Sequence, residues 1–431
     1  MRIFIGLVEA AGRNRALKWG FEELGHRTTF INLTPGTFDY GGDDSSHLCR
    51  LIRSLGSLRR ELSPGIARGC LAVPELFARL VLFLRVLFAN DVFIYSSATS
   101  FFRFWDYRLI RLLGKKLICQ FHGSDSRPPY LNGAYTSRRD FSVEACVRDT
   151  AAQKRRLQAV GRWATALIDI PPQGYFHERP YFLCLYAGLP SGPFGTGLDA
   201  PMAAPAAERP AVRIVHAPSS ERYKGTELIR AMIGRLESKG YNLEFVEIKN
   251  KTPHEVMGEI RGADLVVDQL YCDYALNSLP SEALWCGKPV LSGGYSAGLW
   301  AELVPAEFLP PVVYCHPSEF EDRLERLVSD AGLRQRLGKE GHDYVRRLHD
   351  PKVVASNYLR IANGHAPAQW LYDPAQMRTI WGGFFMSEDQ AKNVTRQVIH
   401  RYGRSGLQLS DKPNLEREVV EWALRKKTRA N

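Results

Sequence analysis

Residues 263–292 limit what this chain can fold into more than any other stretch of the sequence. The apolar run Leu265–Val267 has the β-branched composition of a parallel strand that is buried on both faces. Pro280 then marks the first turn of a helix, Gly287 is placed to end it, and Val290 begins a second strand. The pattern predicts a strand, a helix and a strand, with the helix N-terminus opening where a phosphate is favoured.

Glu282 lies early in this predicted helix, and two interpretations of it compete. In the first, it complements the helix dipole from the first turn; a reciprocal capping box is excluded because Leu279 has no hydroxyl. The second comes from a resemblance. The run EALWCGKPV at 282–290 resembles the E-A-x-x-x-G-K-P-V signature of retaining family 4 glycosyltransferases. In that family the Glu holds the ribose hydroxyls of a nucleotide-sugar donor, and a second Glu stands eight residues earlier, where this chain has Tyr274.

The same family carries a diphosphate-binding Lys-Gly pair, which Lys224 and Gly225 resemble. A cation and a residue without a side chain beside a helix N-terminus suit a pyrophosphate. The family's usual Arg, six residues before that Lys, is replaced here by Pro218, so Arg222 is the candidate substitute. The resemblance implies that the leaving diphosphate is stabilised by these cations and by N–H groups at the start of the later helix. The candidate donor-binding set is Gly12, Lys224, Gly225, Asn277, Ser278, Leu279 and Glu282. Gly12 belongs to this set because of its place after the first predicted strand and not because of the resemblance.

A second motif follows a strand predicted at 116–121, which ends in the sequence HGSDSR. A lone His after a strand is usually structural, but ligands in α/β folds bind at the carboxyl ends of strands. The motif resembles the acceptor-side loop of many family 4 enzymes, in which the His contacts the donor sugar. The resemblance makes His122, with Lys224 and Arg222, a catalytic candidate, and it places Asp125 and Arg127 on the acceptor side. Arg127 could bind an anion or pair with Asp125.

The chain opens with a predicted strand, a loop of small residues and a helix. The G-x-G-x-x-G dinucleotide fingerprint is missing from this βαβ start. Gly12 either lets the backbone approach a ligand or only makes a tight turn, and the sequence does not separate the two. Met1 and Arg2 lead directly into the strand, so we expect no signal peptide.

The cysteine pattern and the charge distribution bear on the compartment of the protein and on its partners. The eight cysteines are scattered without a C-x-x-C pair, which favours a reducing, cytoplasmic compartment and argues against a zinc site. Residues 1–190 carry 26 Lys and Arg against 16 Asp and Glu, whereas the remainder is nearly neutral. Such asymmetry suggests an anionic partner for the first half. No nucleic-acid-binding signature accompanies the charge, so an anionic membrane surface or a phosphorylated lipid fits better.

Two segments of the first half are candidates for contact with a membrane. Residues 48–60 read as a basic amphipathic helix whose arginines are Arg50, Arg53, Arg59 and Arg60. Residues 74–89 are more apolar but too short to span a bilayer. The default prediction is a buried helix with Arg79 and Arg85 at its ends, and interfacial membrane contact is the alternative.

The fold prediction is α/β, with two Rossmann-like domains facing across a cleft, the GT-B architecture, and a C-terminal helical extension. We predict an acceptor-side domain over 1–190, a linker rich in Gly and Pro over 191–210, a donor-binding domain over 211–365 and the extension over 366–431. Amphipathic helices are expected near 387–402 and 412–426, without an assigned role.

The resemblance implies a retaining, metal-independent transfer of a sugar from a nucleotide diphosphate to an acceptor hydroxyl, without a cofactor. The acceptor would be a glycan or a lipid-linked molecule in bacterial cell-surface polysaccharide or glycolipid assembly. The protein would be cytoplasmic, with a peripheral position on the inner face of the membrane. Two alternatives remain: a nucleotide-sugar 2-epimerase, which needs acid/base carboxylates, and a non-catalytic subunit of the same fold, which Tyr274 in place of Glu favours.

Overall fold

The computed structural model of the protein describes residues 1–34, 46–63, 65–183, 210–378 and 385–425. Apart from its last residue, the predicted linker at 191–210 lies outside these ranges. The elements of the first part are β1 (Arg2–Val8), α1 (Arg13–Glu23), β2 (Arg27–Thr34), α2 (His47–Glu61), α3 (Ile66–Ala89), β3 (Val92–Ser96), α4 (Trp105–Leu112), β4 (Lys116–Gln120), α5 (Gly133–Thr136), α6 (Val143–Trp163), β5 (Ala166–Asp169) and β6 (Tyr181–Leu183).

A second alternation of strands and helices follows, and then a C-terminal segment. Its elements are β7 (Val212–His216), α7 (Glu221–Lys224), α8 (Thr226–Ser238), β8 (Leu243–Glu247), α9 (Pro253–Arg261), β9 (Leu265–Val267), α10 (Ser278–Trp285), β10 (Val290–Gly293), α11 (Trp300–Leu303), β11 (Val313–Cys315), α12 (Phe320–Ser329), α13 (Ala331–Leu348), α14 (Pro351–Ala362), β12 (Leu371–Tyr372), α15 (Glu388–Tyr402) and α16 (Pro413–Leu424).

Two separate sheets confirm the prediction of two Rossmann-like domains. The first has the strand order β12-β6-β5-β4-β3-β1-β2 and the second the order β11-β10-β9-β7-β8. All neighbouring strands are parallel except β12, which pairs antiparallel with β6. The central strands are buried on both faces, as their continuous apolar runs require.

Right-handed crossovers decide which helices cover which face of the first sheet. From β1 to β2 the chain proceeds toward one edge of the sheet, and from β2 through β3 to β5 it proceeds toward the other edge. Helix α1 therefore lies on one face, and α2, α3, α4 and α6 form a layer on the other. The C-terminal α14 returns to pack against α1, and Gly20 allows this contact, since a Cβ there would lie 2.1 Å from the Pro351 carbonyl oxygen.

The C-terminal segment rejoins the first domain after the second is complete. Tyr358 of α14 stacks edge-on against Phe21 and donates its hydroxyl to Gln120 in the first sheet. β12 adds a strand to that sheet, so the predicted helical extension also contains strand residues. The expected helices near 387–402 and 412–426 are α15 and α16, and α15 packs on α6.

Helix α3 differs from its prediction in length and in burial. It begins at Ile66 rather than Pro74, and Pro74 lies inside it. Its inner face is buried, but a row of large apolar side chains on its outer face is exposed. The default prediction of a buried helix is therefore wrong for this outer face.

Candidate functional site

The carboxyl edges of the two sheets face each other. In each sheet the strand order reverses once, between β1 and β3 in the first and between β7 and β9 in the second. Such points open crevices where ligands bind in α/β folds. Arg127, in the loop after β4, donates a hydrogen bond to Asp273, in the loop after β9, and both side chains are buried. The two loops therefore meet at the cleft between the domains.

The predicted Lys-Gly pair forms the turn that starts α8. Gly225 has φ 75°, in the left-handed region that favours glycine. A Cβ at this position would also lie 2.7 Å from Leu270 Cδ1, so the turn requires a residue without a side chain. His216 of β7 fixes the helix start, because its ring nitrogens bond the Val267 carbonyl at 2.9 Å and the Thr226 hydroxyl at 2.8 Å. Burial lowers the pKa of this His216.

Lys224 is not on an exposed turn. Its Nζ lies 2.7 Å from Asp268 Oδ1, and Asp268 is fully buried. Its carbonyl accepts the Leu270 N–H at 3.1 Å, which ties α7 to the loop after β9. The positive charge predicted for a diphosphate is thus balanced by a neighbouring carboxylate. Sequence reasoning missed Asp268, although its place directly after β9 marked it as a residue at a strand's carboxyl end.

A pocket of about 400 Å³ opens at the N-terminus of α8. Arg222 lines it, and its side chain makes no hydrogen bond or ion pair with any residue in the described ranges. Arg230 also lines it but is held by Glu221 at 2.7 Å and by Glu247. The pocket draws on both domains and on the C-terminal segment. Its lining residues are Ser137, Glu221, Arg222, Gly225, Glu227, Leu228, Arg230, Tyr271, Phe385, Ser387 and Gln390.

The C-terminal segment supplies one wall of this pocket, which the sequence did not indicate. Phe385 stacks on Tyr223 with ring centroids 5.4 Å apart, and its N–H donates to the Tyr271 carbonyl at 3.2 Å. Ser387 and Gln390 form a reciprocal capping box at the start of α15. No pattern in the sequence joins residues so far apart, so only the fold brings them together.

The helix predicted from residues 263–292 is α10. Asn277 is its N-cap residue, and the Asn277 side chain donates to the Tyr274 carbonyl at 3.1 Å. The Ser281 hydroxyl and N–H both bond the Asn277 carbonyl. Ser278 and Leu279 form the partly exposed first turn.

Glu282 lies in the second turn of α10, so its predicted place in the first turn is wrong. The helix begins at Ser278, earlier than the position of Pro280 suggested. A carboxylate in the second turn gains little from the helix dipole, whose effect falls off within the first turn. The helix-dipole interpretation of Glu282 therefore loses its basis.

Tyr274 fills the position where family 4 usually has a second Glu. Its ring is buried and lies 5.0 Å from the Trp300 ring. The Trp300 indole in turn donates to the Asp273 carbonyl at 3.1 Å. The aromatic pair therefore holds the loop that carries Asp273 across to Arg127.

The HGSDSR loop is organised by Asp125. Its carboxylate accepts the His122 N–H at 3.0 Å and the Gly123 N–H at 2.7 Å. Burial raises the pKa of Asp125, and the charge of Asp169 adds to this. Arg127 does not pair with Asp125 as one sequence alternative had it; its partner is Asp273.

His122 lies at the carboxyl end of β4 with both ring nitrogens enclosed. Burial, and secondarily the charge of Arg13, lower the pKa of His122 to about 3. The imidazole is therefore neutral near pH 7. It does not supply a positive charge to a ligand, and its ring nitrogens are not open to solvent.

Gly12 makes a left-handed turn at the start of α1, with φ 77°. The Glu9 carboxylate occupies this helix end, since it accepts the N–H groups of Asn14 at 3.2 Å and Arg15 at 3.1 Å and also bonds the Gly12 backbone. Burial raises the pKa of Glu9. A carboxylate thus already sits where a phosphate was one possibility, which favours the tight-turn interpretation of Gly12.

Within the described ranges, no three His, Cys, Asp or Glu side chains are grouped so that they could hold a metal ion. Metal independence stays a prediction.

Two Rossmann-like domains with facing carboxyl edges define the GT-B class of fold. No family model and no curated protein matches the chain. Many solved structures resemble it, among them the following three. Trehalose 6-phosphate synthase from Burkholderia multivorans is 11% identical, with 84% of this chain and 96% of that chain covered and a TM-score of 0.46. Anabaena HepE in complex with UDP and glucose is 11% identical, with 84% and 99% covered and a TM-score of 0.44. A candidate UDP-N-acetylglucosamine 2-epimerase from Listeria monocytogenes is 12% identical, with 83% and 94% covered and a TM-score of 0.38.

Proposed function

We propose that the protein is a retaining glycosyltransferase that moves a sugar from a nucleotide diphosphate to an acceptor hydroxyl. The observation that carries the proposal is the pocket at the N-terminus of α8, where the glycine turn and Arg222 lie together between the domains. Unpaired N–H groups at a helix start, a nearby guanidinium and a residue without a side chain are the parts that bind a diphosphate. The motif at 282–290 supports the same assignment for the donor's ribose.

Each candidate residue has a role in this proposal. Arg222 and the first turn of α8 would hold the diphosphate and stabilise the charge that develops as it leaves. Lys224, paired with Asp268, would position the turn and contribute a partial charge. Glu282, partly exposed on α10, would bind the ribose hydroxyls.

His122 acts on the other side of the cleft. As a neutral imidazole, it would hydrogen-bond the sugar at the carboxyl end of β4 once the groups that enclose its ring nitrogens move aside to admit the donor. The acceptor would enter beside the loop that Asp125 organises. The leaving diphosphate would itself take the acceptor proton on the face from which it departs, so no protein carboxylate is needed as a base. Metal independence and a place in cell-surface polysaccharide or glycolipid assembly belong to the same proposal.

The epimerase alternative requires carboxylates that are free to act as acid and base. Two buried carboxyls with raised pKa values, Glu9 and Asp125, lie at the carboxyl edge of the first sheet. Both accept backbone N–H groups and hold loops in place. These contacts favour structural roles and leave transfer as the better-supported reaction. The non-catalytic alternative rests on Tyr274, whose packing against Trp300 gives that residue a structural reason to be there.

Titration calorimetry with UDP and GDP tests the donor site. Arg222→Gln should weaken binding of the preferred diphosphate about tenfold at low salt, since it removes a charged hydrogen bond and leaves every described contact intact. Arg401→Gln, an exposed arginine on α15, is the matched control and should bind as the wild type does.

Mass spectrometry of the donor reaction separates the alternatives. Incubation with a nucleotide sugar should release the nucleoside diphosphate only when an acceptor glycan is present. A sugar nucleotide that stays intact but gains one mass unit in D2O, through proton exchange at C2, would support the epimerase, because the two epimers themselves have the same mass. No diphosphate binding to the wild type, or equal binding by the two arginine variants, would contradict the proposed donor site.

A further inference from the structure

The outer face of α3 carries a continuous apolar stripe. Its members recur three, four or seven positions apart, and these spacings place them on one face of a helix, so they form a single band. Phe77 and Phe88 are each 67% exposed, and Val73 is 69% exposed. The members of the stripe, from the start of the helix to its end, are Ile66, Val73, Leu76, Phe77, Leu80, Val81, Leu84 and Phe88. A contiguous apolar surface that is exposed to solvent marks an interaction site.

Helix α4 extends this surface. Trp105, Leu109 and Leu112 are exposed at i, i+4 and i+7 on its outer face. Both helices belong to the same layer on the first sheet, and Lys115 Nζ lies 2.5 Å from the carbonyl oxygen of Asn90, so the two C-terminal ends are adjacent. Phe83 of α3 also packs against Phe102, just before α4. The outer residues of α3 and α4 together form what we call the apolar face.

The charges around the apolar face are almost all positive. Helices α2, α3 and α4 contain nine arginines and three acidic residues. Two of those acids are not available at the surface: Glu75 is buried against Arg59 and Arg79, and Asp106 is buried as the cap of the loop before α4. Glu61 is the remaining one. The nine arginines are Arg50, Arg53, Arg59, Arg60, Arg68, Arg79, Arg85, Arg108 and Arg111.

A basic pocket of about 390 Å³ lies where α4 ends. Arg111, Arg162 and Arg179 line it together with Trp163, and its lining includes no acidic residue. Exposed Leu112 belongs to both this pocket and the apolar face. An apolar surface beside a cationic recess has the two parts that an acyl chain and its anionic headgroup require.

We infer that the apolar face docks on an anionic lipid bilayer, with the stripe of α3 at the level of the upper acyl chains and the arginines at the level of the headgroups. Among the residues the structure describes, none of the helices is both long and apolar enough to cross a membrane. The contact is therefore interfacial. Vesicle binding requires neither donor nor acceptor, so the inference stands or fails separately from the proposed reaction.

Charge decides between a bilayer and a second copy of the chain. Arginines outnumber acidic residues by six in α2, α3 and α4, even though Glu75 pairs with Arg59 and Arg79, so pairing two apolar faces would bring two positively charged surfaces together. Like charges in such proximity oppose association. An anionic bilayer instead offers a complementary charge to the arginines that Glu75 does not pair.

Co-sedimentation of the full chain with vesicles tests the inference. Wild-type protein should pellet with phosphatidylcholine vesicles that contain 30% phosphatidylglycerol and stay in solution with phosphatidylcholine alone. The triple variant Leu76→Gln, Phe77→Ser, Leu80→Gln should lose at least tenfold in partitioning, because only outward-facing apolar groups are removed. The matched control is Leu424→Gln, which removes a similarly exposed leucine from α16 and should pellet as the wild type does.

The position of the stripe in the bilayer can be measured directly at Cys70, an exposed cysteine on α3. An environment-sensitive fluorophore on Cys70, in a Cys184→Ser background, should shift to the blue on anionic vesicles. Lipids with a spin label in the upper acyl chain should quench it.

Three results would overturn the inference. The first is wild-type protein that stays in the supernatant with anionic vesicles at low salt. The second is a triple variant that pellets as well as the Leu424→Gln control. The third is a wild-type dimer in light scattering that the triple variant converts to monomer, which would assign the apolar face to a second copy.

Discussion

Arg127 and Asp273 join the two domains through an ion pair in which neither side chain is more than 5% exposed. The Asp273 backbone is held in turn by the Trp300 indole. Arg127 follows β4 of the first sheet and Asp273 follows β9 of the second sheet, so the ion pair is a direct contact between the domains.

The first prediction concerns this pair. Arg127→Ala should lower the free energy of unfolding by about 3–5 kcal/mol, because it leaves the Asp273 carboxylate buried without its charged partner. The double variant Arg127→Met, Asp273→Leu should recover most of that loss, since it removes both charges. Denaturant unfolding measures each value. Arg2→Ala, which breaks the exposed Arg2–Asp91 pair, is the control and should cost far less. Equal losses at the two sites would contradict the prediction.

The second prediction concerns Lys224. Lys224→Ala leaves Asp268 buried and unpaired, so the free energy of unfolding should fall by about 3–5 kcal/mol. Loss of nucleotide binding by this variant alone would therefore not identify a ligand contact. Lys224→Met combined with Asp268→Leu keeps the volume and removes both charges. Calorimetry on the double variant should show weaker diphosphate binding with a melting temperature close to that of the wild type.

The third prediction is that a substitution of Glu282 changes the affinity for the donor without changing the stability of the fold. Glu282→Gln should weaken donor binding by about 1.5–3 kcal/mol, because it replaces a charged acceptor of ribose hydroxyls by a neutral one. The melting temperature should hardly change, since the residue is in the second turn of α10. Calorimetry and thermal melting of the same sample provide both values. A lower melting temperature with unchanged affinity would restore the helix-end role.

The fourth prediction is a pH effect. The pKa of folded His122 is lowered to about 3, whereas an unfolded His titrates near 6.5. Below pH 6.5 the unfolded chain binds a proton that the folded chain excludes, so His122 should destabilise the fold by about 1.4 kcal/mol for each further pH unit down to about 3. His122→Gln should therefore lose less stability than the wild type between pH 6.5 and 4.5. Parallel curves for the two proteins would show that His122 is accessible and titrates normally.

Local patterns predicted much of the fold. The apolar runs at β1 and β9 and the turn residues Gly225 and Gly287 led to the correct elements, because helix ends and buried strands depend on residues close in sequence. The start of α3 was missed because Pro74 resembles a helix beginning, whereas packing on α2 continues the helix through it.

The site was less predictable because its contacts are long-range. Lys224 lies directly before α8 as the sequence predicted, but its neutralising partner Asp268 is 44 positions away in sequence. The interdomain partner of Arg127 is 146 positions away, and no local pattern names it. The exposure of the α3 stripe could not be predicted from the sequence either, since periodicity shows that a helix has an apolar face but does not show what covers that face.

The return of α14 and β12 to the first domain has a consequence for synthesis of the chain. The first sheet lacks its edge strand, and α1 lacks its cover, until residues beyond the whole second domain have left the ribosome. Domains usually fold in the order in which they are made. Here the first domain is synthesised first, but its packing is completed last, because Phe21 makes its contact with Tyr358 only after α14 has been synthesised. A chain interrupted before α14 would leave the surface of α1 that α14 covers exposed to solvent.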